Sequence, residues 1–120
     1  MRARMMALVA AGMVLATTAD AQDKKYGPGV SDTEITIGQS APFSGPASAF
    51  GIYSRVEEAY FKSLNEKGGL GGRKIKFITL DNGFSPPKAL EASRKLVEED
   101  NVLAEVGTVG TPTNAATQRY

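Results

Sequence analysis

The sequence predicts an α/β fold: a doubly wound parallel sheet with helices on both faces, which gives three layers. Strand patterns and helix patterns alternate along the chain in the order β-α-β-α-β-α, and stretches rich in glycine and proline separate them. Each stretch between two strands is long enough for the helical crossover that parallel strands require. Right-handed crossovers would place the helices on both faces of the sheet.

The first 21 residues have the layout of a secretory signal peptide. Arg2 and Arg4 precede an apolar run, and small residues around Asp20 indicate a cleavage site after Ala21. The apolar run is shorter than the ~20 residues of a membrane-spanning helix. A short amphipathic helix is the alternative interpretation, but the run has no polar face. We therefore expect residues 1–21 to be removed and the protein to be exported to the periplasm.

Residues 22–33 are expected to form a flexible leader, because they are polar, contain Gly27-Pro28-Gly29 and show no apolar period. Residues 34–120 follow as the folded part. Its strands are predicted at residues 34–40, 74–80 and 101–107, where β-branched and apolar residues concentrate. Its helices are predicted to begin near residues 52, 87 and 112.

Apolar residues at helical spacing support the first two helices. The first helix has one apolar stripe, formed by Ile52, Val56, Ala59, Tyr60 and Leu64. The second helix is expected to turn Leu90, Leu96 and Val97 inward and its charged residues toward water. A sheet of three strands leaves the outer strands without partners and buries a marginal core. Residues 34–120 are therefore interpreted as the front part of a larger lobe.

The composition argues against several classes of function. The chain has 14 basic and 13 acidic residues, and residues 1–21 hold two arginines and one aspartate, so the remainder is formally neutral. A neutral chain has no electrostatic basis for binding nucleic acid. The sequence contains no cysteine and no histidine, which removes thiolate chemistry and the commonest general base and transition-metal ligand. We expect a protein that is not an enzyme and that has no cofactor and no metal site.

Two local features have simpler interpretations than a nucleotide or a metal site. The glycines do not form a G-x-G-x-x-G pattern between the first strand and its helix, and no G-x-x-x-x-G-K-S/T motif is present. Asp81 follows the second strand, where a metal or a catalytic acid could lie. Capping of the loop that contains Asn82 and Gly83 is the favoured interpretation, since no second acidic residue lies nearby.

The stretch that follows the third strand is the candidate ligand site, because ligands bind at the carboxyl ends of strands in open α/β sheets. We expect Thr111 to be the N-cap and Pro112 the first helical residue of the third helix. The amides of Thr113 and Asn114 would then be free to bind a carboxylate, and Gly110 would leave room for its approach. Capping of its own helix by Thr111 is an equally good interpretation of these residues.

The loop after the first strand lies at the same edge of the sheet and carries Phe43, Ser44 and Phe50. Ser44 can hydrogen-bond a ligand, and Phe50 can cover its apolar part. The alternative is that both phenylalanines fill core space beneath the loop, as phenylalanine usually does.

Three stretches of the chain carry a family resemblance: ITIGQSAPFSGPASAFG, NEKGGLGGRKIKFITLDNGFSPPKALEASRKLVEED and VGTVGTPTNAA. Together they resemble the periplasmic leucine/isoleucine/valine-binding proteins, which are the substrate-binding subunits of ABC importers. The resemblance covers nearly all of residues 33–120, in the same order and with the same gaps. It implies an incomplete N-terminal lobe of a protein whose two α/β lobes close over one small ligand.

The resemblance also implies roles for the candidate residues. Thr111 is similar to the hydroxyl residue that holds the ligand carboxylate in this family, helped by main-chain groups near Gly110. Phe50 takes the place of an aromatic residue, often tyrosine, that flanks the ligand, and it lacks the phenol hydroxyl. The stretch GTPTN departs from the serine-rich run of a typical branched-chain binder. Relatives bind amides, urea or aromatic acids, so the ligand implied is an amino acid, an amide or an aromatic acid.

The function implied is capture of a branched-chain amino acid, or a similar small carboxylate or amide, for delivery to an ABC permease in the membrane. We expect a monomer when the chain is full length. A ligand-binding sensory domain of a receptor is the alternative, and a membrane-spanning helix downstream of Tyr120 would distinguish it. A secreted α/β enzyme is a third hypothesis, which the lack of histidine, cysteine and a nucleophile elbow weakens.

Overall fold

A computed structural model describes residues 25–120, so the signal peptide predicted for residues 1–21 lies outside the described range. Two parallel strands, β1 (Glu34–Ala41) and β2 (Lys74–Asp81), form the sheet. They pair in register from Glu34 opposite Lys74 to Ala41 opposite Asp81. Both strands lie where the apolar and β-branched residues predicted them.

Helices join and follow the two strands. A short 3-10 turn at Ser48–Phe50 precedes α1 (Gly51–Glu66), which connects β1 to β2. After β2 comes α2 (Pro86–Arg94), which continues as a π-helical turn over Lys95–Glu99. The last helix is α3 (Thr111–Thr117). The start of α2 was predicted within one residue, because the residue before a proline is held in an extended conformation.

The two long helices cover opposite faces of the sheet. Phe61 of α1 packs on Phe77 of β2, with ring centroids 5.0 Å apart. On the other face, the Cδ2 atom of Leu96 lies 2.8 Å from the position that a Cβ atom on Gly38 would take. Gly38 and Ile37, the partner of Phe77, point to opposite faces because side chains alternate along a strand. The predicted α/β class, with helices on both faces of a parallel sheet, is therefore confirmed.

The third predicted strand is reduced to a single parallel bridge between Gly38 and Glu105. The segment lies beside β1, since the Gly38 amide donates to the Ala104 carbonyl at 3.0 Å and the Val106 amide donates to the Gly38 carbonyl at 2.9 Å. β1 is thus the middle of the sheet. The expectation of a regular strand over residues 101–107 was wrong.

Two interruptions explain why this segment forms no longer ladder. The Thr36 amide of β1 donates to the Gly29 carbonyl at 2.7 Å, so it is not available to residues 102–103. At the other end, Gly107 has a φ of 62°, which turns the chain out of the strand direction. The Leu103 amide still donates to the Thr36 carbonyl at 2.8 Å and the Val109 amide to the Ser40 carbonyl at 3.4 Å, but only Gly38 forms the paired bonds of a regular parallel ladder.

The described part of the leader, residues 25–33, makes specific contacts with the folded part. The guanidinium of Arg73 lies 5.3 Å from the centroid of the Tyr26 ring, and its Nε donates to the Ser31 carbonyl at 2.7 Å. A Cβ atom on Gly29 would lie 2.2 Å from the backbone nitrogen of Leu103, so this close approach requires glycine. The flexibility of residues 22–33 stays a prediction.

The apolar stripe of α1 faces outward. Ile52, Val56 and Tyr60 have exposed fractions between 56% and 62%. The buried residues of this helix are Gly51 and Ser54, and a Cβ atom on Gly51 would lie 3.0 Å from the Phe43 ring, so the start of α1 lies close to the preceding loop. Val97, which was expected to point inward from the second helix, is also exposed. The inward positions of that helix are taken by Ala89, Ala92, Ser93 and Leu96.

The core between α2 and the sheet is small and contains mostly short side chains. Its fully buried members include Ala89 and Leu96, and Leu96 is the largest fully buried apolar side chain. Within residues 25–120, no helix is both long enough and apolar enough to cross a membrane.

Candidate functional site

Three loops meet at the carboxyl-terminal edge of the sheet. They follow β1 (residues 42–50, which include the 3-10 turn), β2 (residues 82–85) and the bridged segment (residues 107–110). We call them the first, second and third loops. Because the strands run parallel, the loops after them lie on one side, which is the side where open α/β sheets bind ligands.

Asp81, the last residue of β2, joins the first loop to the second. Its carboxylate accepts hydrogen bonds from the amides of Phe43 at 2.8 Å, Ser44 at 3.2 Å and Gly83 at 2.9 Å, and from the Ser44 hydroxyl. The favoured interpretation of Asp81 as a loop cap agrees with this geometry. The Ser44 hydroxyl donates its proton to Asp81, so toward a ligand it can act only as an acceptor.

The environment of Asp81 keeps this carboxyl group ionised. Partial burial raises its pKa, but the hydrogen bonds from the Ser44 hydroxyl and from the amides of Gly83, Phe43 and Ser44 together outweigh that effect. They lower the pKa of Asp81 from 3.8 to about 2. The ionised form is therefore the form that holds the first two loops together.

The lowered pKa of Asp81 predicts an acid-sensitive contribution to stability. Since the folded-state pKa lies below the unfolded value, the contribution is fully present above pH 3.8 and is lost as the pH falls toward about 2. Asp81→Asn should have a lower melting temperature than the unaltered protein at pH 7. The difference between the two melting temperatures should be smaller at pH 2.5. Thermal melts followed by circular dichroism would measure this. Glu66→Gln, at the exposed end of α1, is the control, and an equal shift in both variants would contradict the prediction.

The second loop is fixed from beneath by Asn82, which is 1% exposed. Its side-chain nitrogen donates to the Ser40 hydroxyl at 2.9 Å, and its side-chain oxygen accepts from the Phe84 amide at 2.8 Å. Its backbone amide donates to Ala41 and its carbonyl accepts from Ser85. One buried side chain thus ties the loop to β1 and sets the position of Phe84.

Phe84 connects the first loop to the third. Its ring stacks against Phe50 with centroids 6.5 Å apart and an interplanar angle of 19°. Its Cε2 atom also lies 2.8 Å from the position that a Cβ atom on Gly110 would take. Phe50 and Gly110, two of the predicted site residues, are therefore neighbours of the same ring. Phe84 was not among the site residues predicted from the sequence, because its position depends on a hydrogen bond from its amide to Asn82 and on its φ of 63°.

The third helix begins one residue earlier than expected. Gly110 is its N-cap, with φ and ψ both 120°, Thr111 is its first residue, and no side chain caps it. The Asn114 amide donates to the Gly110 carbonyl at 2.9 Å, so it is not free for a ligand. The expectations of a Thr111 N-cap and of a free Asn114 amide were wrong, because glycine reaches the unusual cap geometry more easily than threonine does.

The threonine side chain that bonds to the backbone at the start of α3 is Thr113, not Thr111, and it acts as a donor, so it does not cap the amides of the helix. The buried Thr113 hydroxyl lies 2.8 Å from the Gly110 carbonyl and 3.0 Å from the Val109 carbonyl, to which it can donate. Thr111 is exposed at the surface. It lies beside an open depression of about 500 Å³, which is lined by Gly110, Thr111, Asn114, Ala115 and Gln118.

The glycines of the third loop are required by the protein's own packing. A Cβ atom on Gly107 would lie 2.4 Å from the Glu57 carboxylate, and one on Gly110 would lie 2.4 Å from the Thr113 hydroxyl. Gly107 also accepts a hydrogen bond from the buried Gln39 side chain at 2.7 Å, and that side chain donates to Glu57 as well. The Gln39 side-chain oxygen is buried without a partner among the described residues.

A larger depression of about 680 Å³ lies elsewhere, between α2 and the end of β2. It is an open groove whose walls are mainly the charged side chains of α2, both acidic and basic. Within residues 25–120, no group of three or more histidine, cysteine, aspartate or glutamate residues is placed to hold a metal ion.

Comparisons with known proteins agree with this geometry. The sequence profile of the periplasmic binding protein family matches residues 34–120. Over 79 residues the chain is 33% identical to Leu/Ile/Val-binding protein homolog 3 of Brucella melitensis, an alignment that covers 65% of this chain and 21% of the relative. The chain spans about a fifth of the length of the curated relatives that it matches.

Solved structures show the same architecture. A fatty acid ABC transporter substrate-binding protein from Thermomonospora curvata matches with a TM-score of 0.70 and 30% identity, over 79% of this chain and 24% of that one. An ABC transporter solute-binding protein from R. palustris, solved with benzoate, matches with a TM-score of 0.62 and 32% identity, over 72% and 24% of the two chains. With the profile match covering most of its length, the chain belongs to the periplasmic binding protein family.

Proposed function

We propose that this chain is part of the substrate-binding component of an ABC importer. The protein would capture a small carboxylate, a branched-chain amino acid or a similar acid or amide, and would deliver it to a membrane permease without changing it chemically. The names of its relatives support such a role, since they include a Leu/Ile/Val-binding protein homologue and substrate-binding proteins of ABC transporters. The predicted signal peptide supports a periplasmic location, and we expect the full-length protein to be a monomer.

The observation that carries the proposal is the meeting of three loops at one edge of the sheet. Asp81 ties the first loop to the second through the Ser44 hydroxyl and backbone amides. Phe84 lies against both Phe50 and Gly110. These contacts bring together polar and aromatic groups from stretches of the chain that are far apart in sequence. A fixed arrangement of this kind favours recognition of one small molecule.

The exposed groups at this edge suit an acidic ligand with an apolar body. The Thr111 hydroxyl is accessible beside Gly110 and can donate to a carboxylate. Phe50 offers an exposed ring to the apolar part. Closure of a second lobe over the edge would exclude water, and hydrogen bonds to a charged group are stronger in such an environment.

The role of Thr111 can be tested by replacing it with valine, which keeps the side-chain shape and removes the hydroxyl. We expect Thr111→Val to raise the Kd for a bound carboxylate roughly ten- to hundredfold, because a hydrogen bond to a charged group contributes about 1.5–3 kcal/mol. Titration calorimetry of the full-length protein with amino acids, amides and aromatic acids would measure it.

The matched control is Thr33→Val, an exposed threonine next to the start of β1 and hence near the opposite edge of the sheet. It should leave the Kd unchanged. Equal affinity of the unaltered protein and Thr111→Val for every acid that binds would contradict the role of Thr111. Failure of the full-length protein to bind any member of the panel would contradict the proposed function.

A further inference from the structure

Phe84 has a backbone conformation that is unfavourable for phenylalanine. Its φ is 63°, in the left-handed region that large side chains avoid. The conformation is held by the turn that Asn82 forms, since the Asn82 side-chain oxygen accepts from the Phe84 amide and its carbonyl accepts from the Ser85 amide. Glycine or asparagine would adopt this conformation more easily. Strained residues that the surrounding structure holds in place are concentrated at functional sites.

The Phe84 ring is the inner member of a row of three aromatic rings. Phe84 stacks on Phe50, and Phe50 stacks on Tyr53 with centroids 6.3 Å apart and an interplanar angle of 16°. Phe50 is 46% exposed and Tyr53 is 57% exposed, whereas Phe84 is half-buried. The row therefore begins at Gly110, which precedes the exposed Thr111, and extends from the half-buried Phe84 to the exposed Phe50 and Tyr53.

Filling of space is the simpler explanation for a phenylalanine at this position. A leucine would fill similar space over Gly110 without a stacked geometry. The nearly parallel planes of the three rings, and the large exposed fraction of the outer two, distinguish this row from ordinary core packing. Aromatic rings prefer to pack on other flat rings in offset stacks or edge-to-face pairs. If Thr111 binds a carboxylate as proposed, an exposed aromatic row beside it is complementary to a molecule that is both acidic and planar.

We propose that Phe84 is a specificity-determining residue of the ligand site, and that with Phe50 it selects an aromatic carboxylate over a branched aliphatic one. This inference rests on the proposed function. It adds a substrate class, the aromatic carboxylates, and a residue that selects them, Phe84. Asn82 is the positioning residue, because it holds Phe84 in the conformation that brings the ring between Phe50 and Gly110. The aromatic body of the ligand would lie along the row, with its carboxylate toward Thr111.

The experiment compares two aromatic carboxylates, benzoate and phenylalanine, with two aliphatic ones, isoleucine and valine, by titration calorimetry of the full-length protein. The unaltered protein is expected to bind at least one of the aromatic acids more tightly than either aliphatic one. Phe84→Leu should weaken the aromatic acids roughly three- to tenfold relative to isoleucine, which is the range expected for loss of one ring–ring contact. Phe84→Tyr, which keeps the ring, should preserve the preference.

A second variant keeps the test decisive if Phe84→Leu does not fold. Phe84→Asn removes the ring but suits the positive φ, so it should be folded and should show the same loss of aromatic preference. An equal change in affinity for aromatic and aliphatic ligands would overturn the inference, as would an unaltered preference for isoleucine over benzoate and phenylalanine. Binding of isoleucine alone would leave the proposed function intact. If the full-length protein binds none of the four acids and none of the amides, both this inference and the proposed function are overturned.

Discussion

Leu96→Ala should lower the free energy of unfolding by about 2–5 kcal/mol, the range for removal of a fully buried leucine side chain. Leu96 is 0% exposed and is the largest buried apolar side chain of the described core. Its methyl groups lie directly on Gly38 of β1, so truncation leaves a cavity between helix and sheet. The neighbouring side chains are short and cannot fill it. Urea denaturation followed by circular dichroism would measure the loss.

Val97→Ala is the matched control for this prediction. Val97 is the next residue in the same π-helical turn but is 45% exposed, so its truncation should change stability by less than about 1 kcal/mol. A double variant sharpens the test. A Cβ atom on Gly38 would enter the space of Leu96, so adding Gly38→Ala to Leu96→Ala should recover part of the loss. Equal losses for Leu96→Ala and Val97→Ala would contradict the packing described here.

Asn82→Ala is expected to lower the free energy of unfolding by about 2–4 kcal/mol and also to impair the site. The change removes two side-chain hydrogen bonds, to the Ser40 hydroxyl and from the Phe84 amide, and leaves buried polar groups without partners. Without the bond to its amide, Phe84 loses the support for its positive φ. The aromatic preference should therefore fall together with the stability, which denaturation and calorimetry of the same preparation would show.

Asn114→Ala is the control for Asn82→Ala. Asn114 is exposed, and its side chain makes one long hydrogen bond, of 3.4 Å, to the Thr108 carbonyl. Its replacement should change stability by less than about 0.5 kcal/mol. If Ser40→Ala, which removes the partner of the Asn82 side-chain nitrogen, destabilises the protein while Asn82→Ala does not, the positioning role assigned to Asn82 is wrong.

Local sequence signals predicted the regular elements of the fold well. The β-branched alternation of β1, the apolar run of β2 and the Ser85-Pro86-Pro87 start of α2 each depend on interactions within a few residues. Glycines were predicted to end α1, and Gly68 and Gly69 do so with φ values of 107° and 79°. The charged residues of α2, from Lys88 to Glu99, face water as expected.

Contacts between distant residues account for the predictions that were wrong. The third strand is cut short because the Thr36 amide donates to the carbonyl of Gly29, which lies more than 70 residues earlier in the chain than the third strand, and so cannot donate to this segment. No local pattern in residues 101–107 contains that information. The spacing of the apolar residues in α1 shows only that they share one face of the helix. Whether that face points outward depends on the neighbours that surround the helix.

The sequence predicted the edge of the sheet at which the three loops meet, whereas the contacts between the loops were not predicted. The rule for parallel sheets correctly placed the loops at one edge, and Phe50 and Gly110 each contact Phe84 there. Phe84 was missed because its importance comes from a buried hydrogen bond and an unusual φ, neither of which appears in residue type or spacing. The roles of Thr111, Ser44, Phe50 and Gly110 in binding stay predictions.

The loops at the site and the core consist of different residues, and this separation affects how the sequence can change. The three loops present ring and hydroxyl groups, whereas Leu96, Ala92 and the β1–β2 register hold the domain together. Under the proposed function, exchanges at position 50 could change the ligand preference with little effect on folding, because the Phe50 side chain is 46% exposed and lies outside that core. A new ligand preference could then arise from a few surface changes while the sheet and its packing stay the same.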